Sequence, residues 1–296
     1  DEVDNSECAL IIVNYILSGI LNTKYSSTKI VGMEILRIFC EKLSDTTKIQ
    51  LIIPYMVKLL KDSSNLVRCY ALNEILTILY MIDDMILPSS DYNFFDAYIY
   101  PSILDLYYSN EPTLILAFAN IIDKLTELEQ KFLQIAMKSR FHNMKNQSFA
   151  QVKMSFSFNN PQNINKGEEI ILAYDTDLAE FKNSLFKIIE DILSKNEDLD
   201  VQQTLIRKLP NLMLFFGRRE TNSFSKFIIA HFNKKDWIIH REILKCIPTL
   251  IISLGENAFN QFIVPCMESI INNNLNELKI YQMIHTMHVL LKMEFL

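Results

Sequence analysis

The sequence predicts an all-α fold made by stacking helix pairs, and three observations carry that prediction. An apolar trio at fixed helical offsets recurs along the 296 residues. A proline set among apolar residues recurs at one place in three of the intervening segments. Glycine is scarce, with 5 in the chain: Gly19, Gly32, Gly167, Gly217 and Gly255. Tight β-turns and phosphate-cradling loops need glycine, so β-rich and doubly wound folds are disfavoured. Hydrophobic residues make up 49% of the chain, ample for an extended core.

The trio is clearest at Val67, Leu72 and Ile75, with offsets of five and eight. It recurs as Ile30, Ile35, Ile38, as Leu114, Ala119, Ile122, as Val201, Ile206, Leu209, as Ile239, Leu244, Ile247, and as Leu278, Met283, Thr286, where only Thr286 is off pattern. On a 3.6-residue helix these offsets keep within about 140° of the first residue, so each trio marks one broad buried face. The starting residues are 37, 47, 87, 38 and 39 apart, the 87 being one repeat plus an insertion.

A partner helix precedes most trios. Ile52-Ile53-Pro54, Ile99-Tyr100-Pro101 and Ile263-Val264-Pro265 share one pattern, continued by Met56, Ile103 and Met267, then by Leu59, Leu106 and Ile270. A proline inside a helix normally bends it at a cost of about 3 kcal/mol. Recurrence at one place marks the bend as part of the repeat. Each unit is therefore helix, turn, helix, with the period of HEAT repeats. The expected fold is an α-solenoid of about six HEAT-type pairs in an armadillo-like superhelix, with units at 6–43, 44–82, 93–127, 168–216, 219–254 and 256–295. Repeats one to three occupy 1–138 and repeats four to six 168–296.

Between them, Ser139–Gly167 is rich in asparagine and contains Pro161, and is expected to be a flexible insertion. Val152, Met154, Phe156 and Phe158 alternate there with polar residues. Either they tuck against the solenoid or they add a strand to a partner's sheet.

The net charge of −6 argues against nucleic acid as a partner. Cys8, Cys40, Cys69, Cys246 and Cys266 stand singly, as buried thiols of a reducing compartment do. The longest apolar run, Ala9 to Leu21, is broken by Asn14 and Ser18, too short for a membrane span. Asp1, Glu2, Asp4 and Glu7 before it are the wrong charge for a signal peptide's leading segment. The start at Asp1 suggests a piece of a longer protein.

No motif for catalysis, cofactor or metal emerges. No two glycines lie within ten residues of one another, and GxSxG and HExxH are absent. His240-Arg241-Glu242 has the outline of a kinase catalytic loop. It has Glu in place of the base Asp and Ile247 in place of the metal-binding Asn, and is expected to be helix surface. His285 and His288 lack a third ligand and read as an exposed pair. Glu127–Glu129 and Glu168–Glu169 read as solvated helix ends.

One charge feature stands out. Arg207, Lys208, Arg218, Arg219, Lys226, Lys234, Lys235, Arg241 and Lys245 face only Glu220, Asp236 and Glu242, a local excess of +6. The run is either a solvated face or a contact for an acidic partner or an anionic membrane. Arg218, Arg219, Lys234 and Lys235 fall at turns and are the candidate contact residues, expected to form a common patch.

Phe215-Phe216-Gly217-Arg218, then Thr221-Asn222 and Asp236-Trp237, resembles a run in the vacuolar protein sorting 15 family, the large regulatory subunit of class III phosphatidylinositol 3-kinase complexes. Asp91, Asn93, Phe94, Tyr98 and Pro101 look like that family's third-repeat entry, and Leu51–Asp62 with Val67-Arg68 like its second repeat. The resemblance covers nearly the whole chain and departs at Arg219-Glu220 and in the asparagine-rich spacer. Family members carry a protein-kinase-like domain before these repeats and a WD40 propeller after them. Neither is in this chain, so the catalytic residues have no counterpart here. The resemblance implies a non-catalytic scaffold that holds the lipid kinase catalytic subunit and coiled-coil accessory subunits, in the cytoplasm at endosomal, vacuolar or autophagic membranes. Periodicity alone equally allows a generic HEAT adaptor, such as a phosphatase scaffold or a nuclear transport adaptor.

Overall fold

A computed structural model of the chain describes residues 2–83, 85–152, 162–195, 198–232, 237–273 and 277–292. Of these, 2–8, 89, 145–152, 162–166, 218–219, 221–222, 232, 253–254, 258, 262, 269–273 and 279 are described by backbone alone. The fold is all-α, and no strand occurs among the described residues. No described helix is long and apolar enough to cross a membrane. The chain forms two compact units, Asp1–Phe181 and Lys182–Leu296.

The first unit begins with α1 (Glu2–Asn22) packed on α2 (Ser26–Cys40). Gly32 lets them approach: a Cβ there would lie 2.5 Å from Cγ1 of Ile20. Ser44 caps α3 (Asp45–Thr47), accepting from the Thr47 amide at 3.3 Å. The chain then passes through a π-helical segment, Lys48–Ile52, into α4 (Ile53–Leu59) and turns into α5 (Asn65–Tyr80). The next pair repeats this plan, with a π-helical segment Phe95–Ile99 leading into α6 (Tyr100–Tyr108), followed by α7 (Pro112–Val152).

Both π segments end just before the helices that carry Pro54 and Pro101. Proline has no N–H for the preceding turn and its ring crowds the carbonyl four residues back, so a widened turn accommodates it. The expected bend thus takes a definite form, a π-turn in both pairs.

Within this unit α2 packs on α5, and α5 on α7, while α4 and α6 back α5 and α7. Val67, Leu72 and Ile75 of α5 and Leu114, Ala119 and Ile122 of α7 are all fully buried. Polar rungs cross between these helices. Tyr70 Oη donates to Glu34 at 2.6 Å, Arg37 pairs with Glu74 at 3.4 Å, and Tyr80 Oη donates to Glu127 at 2.5 Å.

Two expectations fail here. In α2, Ile35 and Ile38 are exposed, and Met33, Leu36 and Cys40 fill the core instead. This helix is apolar nearly all round, so periodicity does not single out its inner face. The expected flexible insertion also begins as helix: α7 continues through Ser139 to Val152, and α8 (Gln162–Lys195) starts well before Gly167. Ser139–Val152 contains neither glycine nor proline, and asparagine only weakly disfavours a helix, so nothing stops α7 there. Val152 is helical, while Met154, Phe156 and Phe158 lie outside the described residues.

In the second unit α9 (Leu199–Phe216) is followed by α10 (Arg218–Phe232) and α11 (Trp237–Leu254). A helix interrupted at Ile263 comes next, α12 (Glu256–Phe262) and α13 (Val264–Asn273), and α14 (Glu277–Lys292) ends the unit. The interruption falls two residues before Pro265. Here α9, α11 and α14 stack in sequence, with α10 against α9 and α11, α12 against α11, and α13 against α12 and α10. The trios of α9 and α11 are buried throughout. In α14, Leu278 is exposed, whereas Met283 and Thr286 are buried. Thr286 fits because its Oγ1 lies 3.2 Å from the Leu244 carbonyl and 2.9 Å from that of Gln282.

Gly217 and Gly255 end α9 and α11 one repeat apart, with φ of 80° and 86°. Their ψ values of −174° and 160° complete a conformation that is almost exclusive to glycine. Pro210 and Pro248 are likewise one repeat apart inside these two helices.

Candidate functional site

The basic run lies on α9, α10 and α11, and the second unit's core decides which of its residues reach solvent. Ile206 and Leu244 point inward as the middle members of their trios. Arg207 and Lys245, the residues that follow them, are turned outward by one helical step, with side chains 51% and 49% exposed. Arg241, one turn before Lys245, packs its guanidinium 5.6 Å from the Trp237 ring centroid.

All three cations converge on Glu242, whose side chain is 1% exposed. Arg207 Nε lies 3.1 Å from Oε2, Arg241 Nη2 2.8 Å from Oε1, and Lys245 Nζ 3.1 Å from Oε1. Burial alone would raise the Glu242 pKa. Donation from Arg207, Arg241 and Lys245 outweighs burial and holds it at about 2. The carboxylate ties α9 to α11. Beside it, Cys246 Sγ reaches the Ile206 carbonyl at 3.2 Å, and burial pushes that thiol up to about 12. Three cations against one carboxylate leave two positive charges in excess on the surface. Such an arrangement can accept an anionic group.

The four candidate contact residues fare differently. Arg218 and Arg219 open α10, but their side chains lie outside the described residues, as do Lys234 and Lys235 altogether. His240 and Glu242, expected on a helix surface, are buried. His285 and His288 are exposed on α14.

Sequence reasoning missed the Glu242 cluster. A signal was present, since Arg207 and Lys245 follow the middle residues of successive trios 38 positions apart. It missed a second buried carboxyl as well. Glu129, read as a solvated helix end, is fully buried in α7. It faces Asp96 of the second π segment, whose neighbour Phe95 has its ring 5.6 Å from that of Phe132 and 6.4 Å from that of Phe181. Burial first, and then the charge of Asp96, push the Glu129 carboxyl well above the usual range. Burial raises Asp96 too, with Asp177 and Glu180 adding to it. Among the described residues neither Glu129 oxygen has a hydrogen-bond donor, so the site favours the protonated carboxyl over the carboxylate.

Among curated proteins the chain is 26% identical to a probable serine/threonine-protein kinase vps15 of Dictyostelium discoideum, over 87% of this chain and 12% of that protein. It is 24% identical to serine/threonine-protein kinase VPS15 of Arabidopsis thaliana, over 78% of this chain and 15% of that one. Against the Saccharomyces cerevisiae VPS15 it is 24% identical, over 76% of this chain and 14% of the relative. The chain thus spans less than a sixth of the length of these relatives. Residues 12–296 match the family model described as PIK3R4-like, middle domain, and the chain belongs to that family.

Proposed function

We propose that this chain is a non-catalytic scaffold segment of the regulatory subunit of a class III phosphatidylinositol 3-kinase complex. In that role it holds the lipid kinase catalytic subunit and coiled-coil accessory subunits together for endosomal and vacuolar sorting and autophagy, at the cytoplasmic side of those membranes. The observation that carries this reading is the match of residues 12–296 to a middle domain, on a chain whose helices stack in pairs. A stack of this kind buries one face of each helix and leaves the others as an extended surface for partners. The Glu242 cluster supports binding in particular, because its cations exceed the charge needed to neutralise the buried carboxylate. Arg218, Arg219, Lys234 and Lys235 extend the same basic run and are proposed as further contacts for an acidic partner or an anionic membrane.

The test is affinity purification of the tagged chain from cells, followed by identification of stably bound proteins. Recovery of the class III lipid kinase catalytic subunit is expected. Recovery of a protein phosphatase catalytic subunit or a nuclear transport receptor in its place would overturn the proposal.

A further inference from the structure

The second unit's stacked helices repeat not only their cores but their outward positions. Register is held by Cys246 reaching the Ile206 carbonyl and Thr286 reaching the Leu244 carbonyl, both at 3.2 Å. In this register Leu214 of α9, Ile252 of α11 and Leu291 of α14 are equivalent, and all are exposed, at 66%, 52% and 56%. They form an apolar row running across three helices. Seven residues before Leu214 and Ile252 stand Arg207 and Lys245, with Arg241 one turn further back. Seven residues are two helical turns, so a cationic row runs beside the apolar one at about 10 Å.

We infer that this double row is a docking site for an acidic amphipathic α-helix of a partner protein, an inference that rests on the scaffold reading above. The dimensions favour a helix. Packed helices stand about 8–10 Å apart, so apolar anchors fall at that spacing along the row. A helix laid across them presents one face every seven residues, a rise of about 10 Å. Its width of about 10 Å spans both rows, placing its leucine-type face on Leu214, Ile252 and Leu291. Aspartate or glutamate on its flank meets Arg207, Arg241 and Lys245, whose charge exceeds that of Glu242 by two. A membrane surface fits less well. The row contains no aromatic residue to sit at a lipid interface, and the excess charge is small for attraction to anionic lipid.

The test uses the 296-residue chain and a fluorescent peptide with leucine at heptad spacing and glutamate on one flank. Anisotropy titrations are run at low and high salt. Saturable binding that weakens with salt is expected. Leu214→Ser combined with Ile252→Ser should weaken it about tenfold or more. Arg207→Gln with Lys245→Gln should weaken it too and flatten its salt dependence. Circular dichroism checks that the variants stay helical, and Leu291→Ser alone, on an exposed last turn, repeats the test if the double variants do not. Absence of binding overturns the inference, as does equal binding of a peptide of the same composition with scrambled spacing. So does indifference to the serine substitutions in a folded chain. Capture of phosphatidylserine vesicles in place of the peptide, lost in the same variants, would make the row a membrane contact and overturn it as well. Should the peptide fail while the lipid kinase still co-purifies, this inference falls alone and the scaffold reading stands.

Discussion

Glu242 and Glu129 are both buried carboxyls, and their surroundings drive them in opposite directions. Glu242 has three cationic donors and stays ionised. Its folded pKa, about 2, lies below the ordinary value of 4.5, so its contribution to stability is present above that value and is lost as pH falls toward 2. Replacing it with Gln leaves three cations clustered without their anion. The expected cost is about 2–4 kcal/mol in urea unfolding, toward the lower end because the cations are partly in water. Glu129 is buried with Asp96 and Asp177 as its charged neighbours, and its folded pKa is raised above 4.5. The native state then binds more protons than the unfolded chain, so stability falls as pH rises above that value. Asp96, raised as well, acts in the same sense. Glu129→Gln cannot ionise and its amide can donate to Asp96. It should flatten the decline in unfolding midpoint between about pH 5 and about pH 9, leaving the variant more stable than the parent at the alkaline end. A variant that follows the parental pH curve would show that Glu129 does not carry the proton. The sequence carried a partial signal for the Glu242 cluster, in the spacing of Arg207 and Lys245, and none for Glu129. The partners of Glu242 include Arg207, 35 positions away, and Asp96 and Glu129 are 33 apart, so only the stacking of helices brings them together.

At the scale of the element, what was legible depended on how one-sided each helix is. In α9 and α11 the apolar trios stand against Arg207, Arg241 and Lys245, and period analysis finds the inner face correctly. In α2 the apolar residues surround the axis, and contact with α1 through Gly32, not composition, decides which of them go inside. The proline repeat was legible as a bend, but its realisation as π-turns depends on backbone hydrogen bonding that residue type alone does not specify. Scarce glycine was read as an exclusion. Its positive use lies at Gly217 and Gly255, which end helices in a conformation costly to any residue with a Cβ. Gly217→Ala and Gly255→Ala should each lose about 1–3 kcal/mol in thermal or urea unfolding, although neither Cβ meets a neighbouring atom within 4 Å. Losses below about 0.5 kcal/mol would mean that the backbone relaxes there without strain.

At the scale of the molecule, the periodicity established a stack of helix pairs, and the family match extends over the same residues, 12–296. The proposed function requires that the stack bind a class III lipid kinase catalytic subunit. The most direct measurement is the affinity of the purified chain for the purified catalytic subunit, by interferometry at near-physiological salt. Saturable binding is predicted, weakened when Arg207 and Lys245 are changed to Gln in a chain that remains helical. A chain that is folded yet shows no binding to the kinase, while binding a phosphatase catalytic subunit under the same conditions, would contradict the account.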